Sequence, residues 1–466
     1  MYTAPIRLKA ALSLALMTTS VSCTGFPIVE TTCGTVRGYY PEPGLRAFLG
    51  IPYAQPPRVV VPGAPALTPT TGESEDCLTL NVWASESSKR PVPVFIWMHG
   101  GGFTEGSSSV PMYDGRYFAA ANPDIVTVTI NFRINFFGFA NSPAVPKKNV
   151  GFRDQRLAVE WIRDNIAAFG GDPNRMVLGG QSAGAMSTSI YAYAYATDPI
   201  VRGLIMESGE ATVTRPDDGT QWPRLAEALG CRSSNSTDEL VCMQKIDAYK
   251  LKRTLSPEDL MPLTSAPVAR AAVDNVTYFA PAEYVARGSA GHFSNIPALR
   301  GLTNDEGNGL SPFTPAGIVN QTYADFLTYA FFNCPAAGEA STWAAHKIPS
   351  WRYRYFGEFP SLALYDWMKA YHGAEIPLLL GTMENLQLRS PHPYEFAALA
   401  YIQRAIVAFV KDPSRGLSDF GWLLYNPNTT SLVALFKNNS SNATFVDPVP
   451  YDTYEFVLLR GNDIPG

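Results

Sequence analysis

The segment Met176-Val-Leu-Gly-Gly-Gln-Ser-Ala-Gly184 contains the most informative pattern in the chain. Its apolar start, residues 176–179, predicts a β-strand. The following Gly180-Gln-Ser-Ala-Gly184 fits G-x-S-x-G, in which a serine lies on a sharp turn between a strand and a helix. Such a turn needs small neighbours because its backbone is strained, and it raises the hydroxyl above the sheet, where a base can reach it. Ser182 is therefore predicted to be a nucleophile.

Apolar strands and helices alternate on both sides of this turn. Strand-like runs cover Val92–Met98, 125–130 and 204–206, and apolar residues recur with helical spacing over 152–169. Wholly apolar strands separated by helices predict an α/β fold, with a mostly parallel sheet covered by helices on both faces. The stretch Tyr191-Ala-Tyr-Ala-Tyr195 alternates like a strand, but its position after the serine turn favours a helix end.

A glycine run follows the Val92–Met98 strand, in His99-Gly-Gly-Gly-Phe103. Glycines at a strand end let backbone N–H groups point into a cavity. Two of them, together with the N–H of Ala183, would stabilise the oxyanion that forms when a serine attacks a carbonyl group. Each such donor is typically worth about 3 kcal/mol in the transition state.

A nucleophilic serine needs a base, and the base needs an acid that orients it. The histidines of the chain are His99, His292, His346, His372 and His392. The order typical of a nucleophile on such a turn is serine, acid, histidine, which excludes His99. His372 directly precedes an apolar segment and is the favoured base.

The acid should lie in a strand-end loop between the serine and the histidine. Asp305 and Glu306 follow an apolar segment at residues 296–302 and meet this requirement. The pattern alone leaves both carboxylates open.

The N-terminus has the order typical of a secretory signal peptide. Arg7 and Lys9 precede an apolar stretch at residues 10–17, and small residues follow. We predict a signal peptide at residues 1–23, with cleavage between Ser20 and Gly25. The remaining residues, 24–466, are predicted to form a single domain that is secreted.

Potential N-glycosylation sites fit export. Asn-X-Ser/Thr sequons occur at seven positions and cluster near the C-terminus in polar sequence. They are Asn235, Asn275, Asn320, Asn428, Asn438, Asn439 and Asn442.

The six cysteines show neither a C-x-x-C pair nor a His/Cys ligand spacing, so we interpret them as disulfide candidates and expect no metal site. The candidate pairs are Cys231 with Cys242 and Cys33 with Cys77. Cys334 would then stay unpaired.

The composition excludes several classes of protein. Lys+Arg 36 against Asp+Glu 41 gives a net charge of −5, which argues against a general binder of nucleic acids or anionic membranes. Hydrophobic residues at 46% and charged residues at 17% are typical of a globular chain with a sizeable core. No apolar run reaches the ~18 residues of a membrane span, so no transmembrane segment is expected.

These motifs resemble those of the type B carboxylesterases, the family that includes cholinesterases and fungal lipases. The resemblance implies an α/β-hydrolase fold and a serine hydrolase that needs no cofactor and acts on small-molecule or lipid esters. It also suggests a secreted member of the fungal type. The stretches that carry it, besides the two glycine motifs, are Gly50-Ile-Pro-Tyr-Ala-Gln-Pro-Pro57, residues 74–82, 149–155, 168–175, 207–209, 305–307, 371–373 and 409–413.

The resemblance implies a catalytic triad of Ser182, Glu306 and His372. The family motif Asp-Glu-Gly selects Glu306 over Asp305. The expected reaction is ester hydrolysis, in which His372 takes the Ser182 proton, an acyl-enzyme forms, and water releases the acid.

The resemblance also implies the oxyanion donors, which are the backbone N–H groups of Gly101, Gly102 and Ala183. Ser208 matches a serine that supports the triad acid in relatives. The Cys231–Cys242 pair matches a disulfide loop of the family.

Three departures from the family pattern leave substrate choice and oligomeric state open. The stretch 57–72 is short and lacks the cysteine that usually pairs with the one at Cys77, a role for which Cys33 is a candidate. Gln181 stands where many relatives have glutamate. The interval between Glu306 and His372 is also shorter than expected.

The main prediction is therefore a secreted serine hydrolase that cleaves carboxylic esters through an acyl-enzyme on Ser182. The alternatives are a lipase on long-chain acylglycerols and a specialised esterase or acyltransferase of a biosynthetic pathway. A non-catalytic binding module is least favoured, because serine, acid and histidine are all present.

Overall fold

Eleven strands pair into one large sheet in the computed structural model, which describes residues 26–55, 74, 76–86, 90–254, 270–386 and 388–452. The predicted signal peptide and the stretch 57–72 lie outside these residues. The strands of the large sheet are β3 (Tyr39–Glu42), β4 (Leu45–Pro52), β5 (Thr79–Ser85), β6 (Val92–Met98), β7 (Val126–Ile130), β8 (Gly171–Gln181), β9 (Gly203–Glu207), β10 (Ala298–Thr303), β13 (Ser350–Tyr355), β14 (Leu432–Leu435) and β15 (Ala443–Val446). The remaining strands form two hairpins, β1 (Ile28–Thr31) with β2 (Gly34–Arg37) and β11 (Phe313–Thr314) with β12 (Gly317–Ile318).

The sheet runs in the order β15-β14-β13-β10-β9-β8-β6-β7-β5-β4-β3. All pairings from β14 to β7 are parallel, and the strands at both edges are antiparallel. The chain reverses direction across the sheet between β6 and β8, because β7 lies on one side of β6 and β8 on the other. In open α/β sheets a crevice forms at such a switch point, beyond the carboxyl ends of the strands.

Helices cover both faces of the sheet. They are α1 (Arg116–Ala121), α2 (Asn135–Gly138), α3 (Val150–Asn165), α4 (Ala183–Ala194), α5 (Gln221–Ala228), α6 (Ser236–Met243), α7 (Ala248–Thr254), α8 (Pro281–Ala290), α9 (Gln321–Leu327), α10 (Cys334–Ala345), α11 (Ile376–Leu380), α12 (Pro393–Lys411), α13 (Gly416–Phe420) and α14 (Val449–Asp452). The α/β fold class predicted from the sequence, a mostly parallel sheet between helices, is thereby confirmed.

Strand β6 shows why the core has two halves. Successive side chains of a strand point to opposite faces. Val94 and Ile96 accordingly pack with residues of α3 and α4, whereas Phe95 and Trp97 pack with residues of α12 on the other face. All four side chains are fully buried, which accounts for the unbroken apolar run in the sequence.

Cys231 and Cys242 are joined by a disulfide that closes the loop between α5 and α6. Cys33 and Cys77 are not joined, which corrects the candidate pairing. Cys33 lies in the exposed β1–β2 turn, where the neighbouring Thr32 N–H bonds Asn165 at the end of α3.

Cys77 instead precedes β5 and lies near Asp154, in the first half of α3, and burial raises the pKa of its thiol to about 11. Asp154 and Asn165 are roughly 16 Å apart along a helix axis, whereas a disulfide requires Cα atoms within about 7 Å. The third free thiol, of Cys334, is exposed.

All seven predicted glycosylation asparagines have exposed side chains. Their modification stays a prediction. Within the described ranges, no helix is both long and apolar enough to cross a membrane, and no group of His, Cys, Asp and Glu is arranged to hold a metal ion.

Candidate active site

Ser182 lies on the turn between β8, which ends at Gln181, and α4, which begins at Ala183. Its backbone has φ 56° and ψ −119°, a conformation that residues with a side chain rarely adopt. Two hydrogen bonds hold the turn: Ser182 N–H donates to the Glu207 carbonyl, and the Met186 N–H donates to the Ser182 carbonyl, both at 2.8 Å. The neighbouring strand β9 and the first turn of α4 therefore fix the strained residue.

The glycines of the motif allow β6 and the serine turn to touch through their backbones. A Cβ atom on Gly184 would lie 2.2 Å from the Met98 carbonyl oxygen, and one on Gly180 would lie 2.5 Å from the Gly184 carbonyl carbon. Both distances are far below a van der Waals contact. The close approach brings the glycine run after β6 directly beside Ser182.

That glycine run presents backbone donors next to the serine. Gly101 and Gly102 have φ 111° and φ 60°, and the Gly101 carbonyl accepts the N–H groups of Thr104 and Glu105 at 3.0 Å. Among the residues that the structure describes, the N–H groups of Gly101, Gly102 and Ala183 have no hydrogen-bond acceptor. The predicted oxyanion donors are thus available to a ligand.

Glu306 is fully buried at the start of the short helix Glu306–Gly309, directly after β10. Its Oε1 accepts the Ser208 hydroxyl at 2.6 Å and the Thr303 N–H at 2.8 Å. Its Oε2 bonds His372 Nδ1 at 2.6 Å. Both oxygens of the Glu306 carboxylate therefore have hydrogen-bond partners. Because a carboxylate only accepts, the His372 imidazole carries its proton on Nδ1.

A backbone pairing brings Glu306 and His372 together. Asp305 and Tyr371 form a parallel β-bridge, and the Asp305 N–H donates to the Ala370 carbonyl at 2.9 Å. Asp305 itself accepts a 3.0 Å hydrogen bond from the Asn304 amide and does not bond His372. Of the two candidate acids, the structure thus brings only Glu306 to the histidine.

The second imidazole nitrogen, His372 Nε2, bonds the Gln181 amide nitrogen at 3.1 Å. Within the described part of the chain, Ser182 Oγ has no hydrogen-bond partner. In the sequence Gln181 stands out only as a departure from the family pattern, and its contact with His372 was not predicted. The one sequence feature that could have indicated a role for Gln181 is that it directly precedes Ser182, the predicted nucleophile.

His372 is only 11% exposed, and Phe332 packs against it with a distance of 5.0 Å between the ring centroids. Phe332 belongs to the π-helix Thr328–Asn333. The neighbouring Phe331 is only partly buried. Phe332 is therefore the aromatic neighbour of the histidine, and Phe331 precedes it on the same short helix.

The remaining histidines lie elsewhere. His99 is buried, stacks on Phe132 at 4.6 Å and bonds the Gly100 carbonyl. Burial lowers the pKa of His99 to about 4, so this ring is neutral at physiological pH. His346 bonds the Gly288 carbonyl on the protein surface, and His392 caps α12.

Two further buried carboxyl groups, those of Glu207 and Glu375, lie near enough to Glu306 to interact with its charge. Burial raises the pKa of Glu207 to about 8, and the charge of Glu306 adds to this effect. Burial also raises the pKa of Glu375 well above its ordinary value, helped by Glu207 and Glu306. Burial thus favours the protonated, uncharged form of both groups.

The Glu207 side chain accepts a hydrogen bond from Tyr353, and Gly301 makes room for the pair. A Cβ atom on Gly301 would lie 1.8 Å from Glu207 Oε2 and 2.4 Å from the Tyr353 hydroxyl. No pattern in the sequence indicated this arrangement, because Glu207, Tyr353 and Gly301 come from three different strands.

Comparisons with known proteins identify the family of the chain. The sequence profile described as the carboxylesterase family matches residues 62–321. The chain is 36% identical over 435 residues to the chlorogenic acid esterase of Aspergillus niger, covering 84% of this chain and 83% of that protein. It is 32% identical over 406 residues to secreted lipase 5 of Gibberella zeae, covering 80% and 75% of the two chains.

A solved structure shares the fold. A thermophilic PNB esterase superposes with a TM-score of 0.76 and 26% sequence identity, over 90% of this chain and 97% of the esterase. Together with the sequence relatives, this similarity confirms the α/β-hydrolase fold and the predicted hydrolysis of carboxylic esters. The chain belongs to the carboxylesterase family.

Proposed function

We propose that Ser182, Glu306 and His372 carry out the hydrolysis. The observation that supports this assignment most directly is the 2.6 Å hydrogen bond between Glu306 and His372 Nδ1. Because Nδ1 carries the proton, Nε2 is unprotonated and keeps its electron pair, which faces the turn that holds Gln181 and Ser182. A neutral imidazole in this tautomer is the base that a serine nucleophile requires.

In the proposed reaction, the Ser182 oxygen attacks the ester carbonyl carbon while its proton passes to His372 Nε2. The N–H groups of Gly101, Gly102 and Ala183 stabilise the negative charge on the former carbonyl oxygen. The imidazolium then protonates the leaving alcohol, which leaves an acyl group on Ser182. Water, deprotonated by His372, releases the acid by the same steps in reverse order.

For the substrate, we propose small soluble esters with an aromatic part. The Aspergillus niger relative is named for chlorogenic acid, an ester of an aromatic acid. In this chain Phe332 packs against His372, and the adjacent Phe331 is only partly buried. Aromatic rings pack favourably against one another, by about 0.5–1.5 kcal/mol beyond burial alone.

We also propose that the protein is exported with N-glycans on its surface. A fungal relative is named a secreted lipase, and the seven sequon asparagines are exposed.

Hydrolysis of p-nitrophenyl butyrate by the wild type and by Ser182→Ala tests the proposed nucleophile. We expect the substitution to lower turnover by a factor on the order of 10⁶. Substantial activity in Ser182→Ala would show that another group attacks the ester.

A substrate series tests the proposed ester class. It compares chlorogenic acid, p-nitrophenyl esters of increasing chain length and emulsified long-chain triacylglycerol. We expect the highest kcat/KM on the soluble aromatic and short-chain esters. A rate that rises with emulsified long chains would favour the lipase alternative, for which the Gibberella zeae relative is the supporting observation.

Replacing the partly buried Phe331, the neighbour of Phe332, tests the aromatic preference itself. Phe331→Leu should reduce kcat/KM for chlorogenic acid more than for p-nitrophenyl acetate. Phe396→Leu, on the exposed side of α12, is the matched control and should change neither value.

A further inference from the structure

The Gln181 side chain fills a space that two glycines leave open. A Cβ atom on Gly100 would lie 2.3 Å from Gln181 Oε1, and one on Gly373 would lie 3.2 Å from Gln181 Nε2. The first of these glycines belongs to the loop after β6, and the second directly follows His372. Any side chain at Gly100 would force the Gln181 amide out of its position.

A directed chain of hydrogen bonds fixes which end of the amide faces the histidine. The Gly100 N–H donates to the Tyr113 hydroxyl at 3.2 Å, so the hydroxyl proton is free to donate to Gln181 Oε1 at 3.3 Å. The amide nitrogen of Gln181 therefore points to His372 Nε2, 3.1 Å away. Because Nδ1 holds the proton for Glu306, Nε2 accepts the amide N–H.

We propose that Gln181 is a positioning residue that holds His372 as a neutral base and thereby extends activity to acidic pH. A hydrogen bond to Nε2 exists only while this nitrogen has a free electron pair, so it stabilises the neutral imidazole and not the imidazolium. A carboxylate at this position would do the opposite, because it would attract the imidazolium. The inference rests on the proposed function of His372.

Apart from Tyr113 in the Tyr113→Phe variant, the other charged or titratable groups around the Glu306–His372 pair are the same in all variants considered below. They are Glu207 from β9, Asp305 and Glu306 from the loop after β10, Tyr353 and Arg354 from β13, Tyr371 and Glu375 beside His372, and Glu105 and Tyr113 from the segment after β6. A change in pH dependence between the wild type and the Gln181 variants therefore reports on the residue at position 181.

The test is the pH profile of kcat/KM for p-nitrophenyl butyrate, which reports groups of the free enzyme. Gln181→Glu has the same size and shape and should move the acidic limb upward by about one pH unit or more. Gln181→Met keeps the volume but loses the hydrogen bond, and its acidic limb should lie between those of the wild type and Gln181→Glu. Tyr113→Phe frees the amide to turn and should shift the limb in the same direction.

Gln403→Glu is the matched control, since Gln403 is also buried but lies on α12, away from the serine turn. Its acidic limb should coincide with that of the wild type, and thermal unfolding of every variant confirms that it is folded. Superimposable acidic limbs for the wild type, Gln181→Glu and Gln181→Met would overturn the inference. Activity that survives in Ser182→Ala would instead overturn the proposed function, so the two failures are distinguishable.

Discussion

The Ser208 hydroxyl donates a 2.6 Å hydrogen bond to Glu306 Oε1, the carboxylate oxygen that does not bind His372. Both side chains are fully buried. A hydrogen bond to a buried charged group is worth about 1.5–3 kcal/mol, and each 1.4 kcal/mol of barrier is a factor of about ten in rate. Ser208 thus helps to fix the acid that orients the proposed base.

Ser208→Ala should therefore lower kcat about 10- to 100-fold. KM should change little, since Ser208 acts through Glu306 and does not contact the ester. Steady-state kinetics on p-nitrophenyl butyrate measure both values. The matched control is Ser418→Ala on the exposed part of α13, which should behave as the wild type. An unchanged kcat in Ser208→Ala would show that Thr303 N–H alone suffices to hold Glu306.

Gly100→Ala should reduce kcat/KM by at least about 100-fold, because a misplacement of about 1 Å in an active site can cost that much. The new Cβ atom would lie 2.3 Å from Gln181 Oε1 and 3.1 Å from Ser182 Cβ. Gly338→Ala provides the contrast, since no atom lies within 4 Å of its Cβ position in helix α10. That variant should keep full activity and gain about 0.5–1 kcal/mol in the free energy of unfolding. Equal activity of the two variants would contradict the packing argument.

The free energy of unfolding should decrease as the pH rises from about 4.5 to about 8, because Glu207 stays protonated in the folded protein over this range but ionises in the unfolded chain. Glu375 adds to the decrease, since burial raises its pKa too. Each group can contribute up to about 1.4 kcal/mol per pH unit. Glu207→Gln cannot ionise and should flatten this dependence. Urea unfolding at several pH values tests this, and identical slopes for wild type and variant would refute it.

Removal of the Cys231–Cys242 disulfide by a double alanine substitution should lower the free energy of unfolding by about 2–3 kcal/mol. The bridge closes a loop with a sequence separation of 11, and loops of this length are stabilised by about that amount. Cys334→Ala, which removes an exposed free thiol, is the control and should have almost no effect. Chemical unfolding under non-reducing conditions makes the comparison. A loss below about 0.5 kcal/mol would mean that the unfolded chain gains little freedom without the bridge.

Local patterns were sufficient to predict much of the fold. The β6 strand was predicted with its observed ends, Val92–Met98, because every residue of a buried parallel strand is apolar or small. The strand before Ser182 was predicted too short. Strand β8 begins at Gly171, and its first residues are polar or partly exposed, so they lack the apolar signature on which the prediction depended.

The candidate site was predictable only in part, because its contacts join distant segments. Ser182 follows from a local motif, whereas the residues alone did not separate Asp305 from Glu306. The carboxylate that reaches the histidine depends on the bridge between Asp305 and Tyr371, which no local pattern encodes. The Tyr113–Gln181 contact spans 68 residues and was likewise beyond the sequence. The candidate Cys33–Cys77 pair was wrong because the two cysteines lie near different parts of α3, too far apart for a disulfide. The spacing of cysteines in the sequence does not show this separation.

The parallel neighbours β8, β9, β10 and β13 have a consequence for how the protein is made. Gln181 and His372 touch although they are 191 residues apart in the chain. A nascent chain therefore carries the proposed nucleophile, Ser182, long before the ribosome has added the proposed base, His372, and the two meet only after these strands have paired. Esterase activity should thus serve as a reporter of strand assembly, since a chain that ends before His372, or in which these strands have not paired, lacks the proposed base beside Ser182.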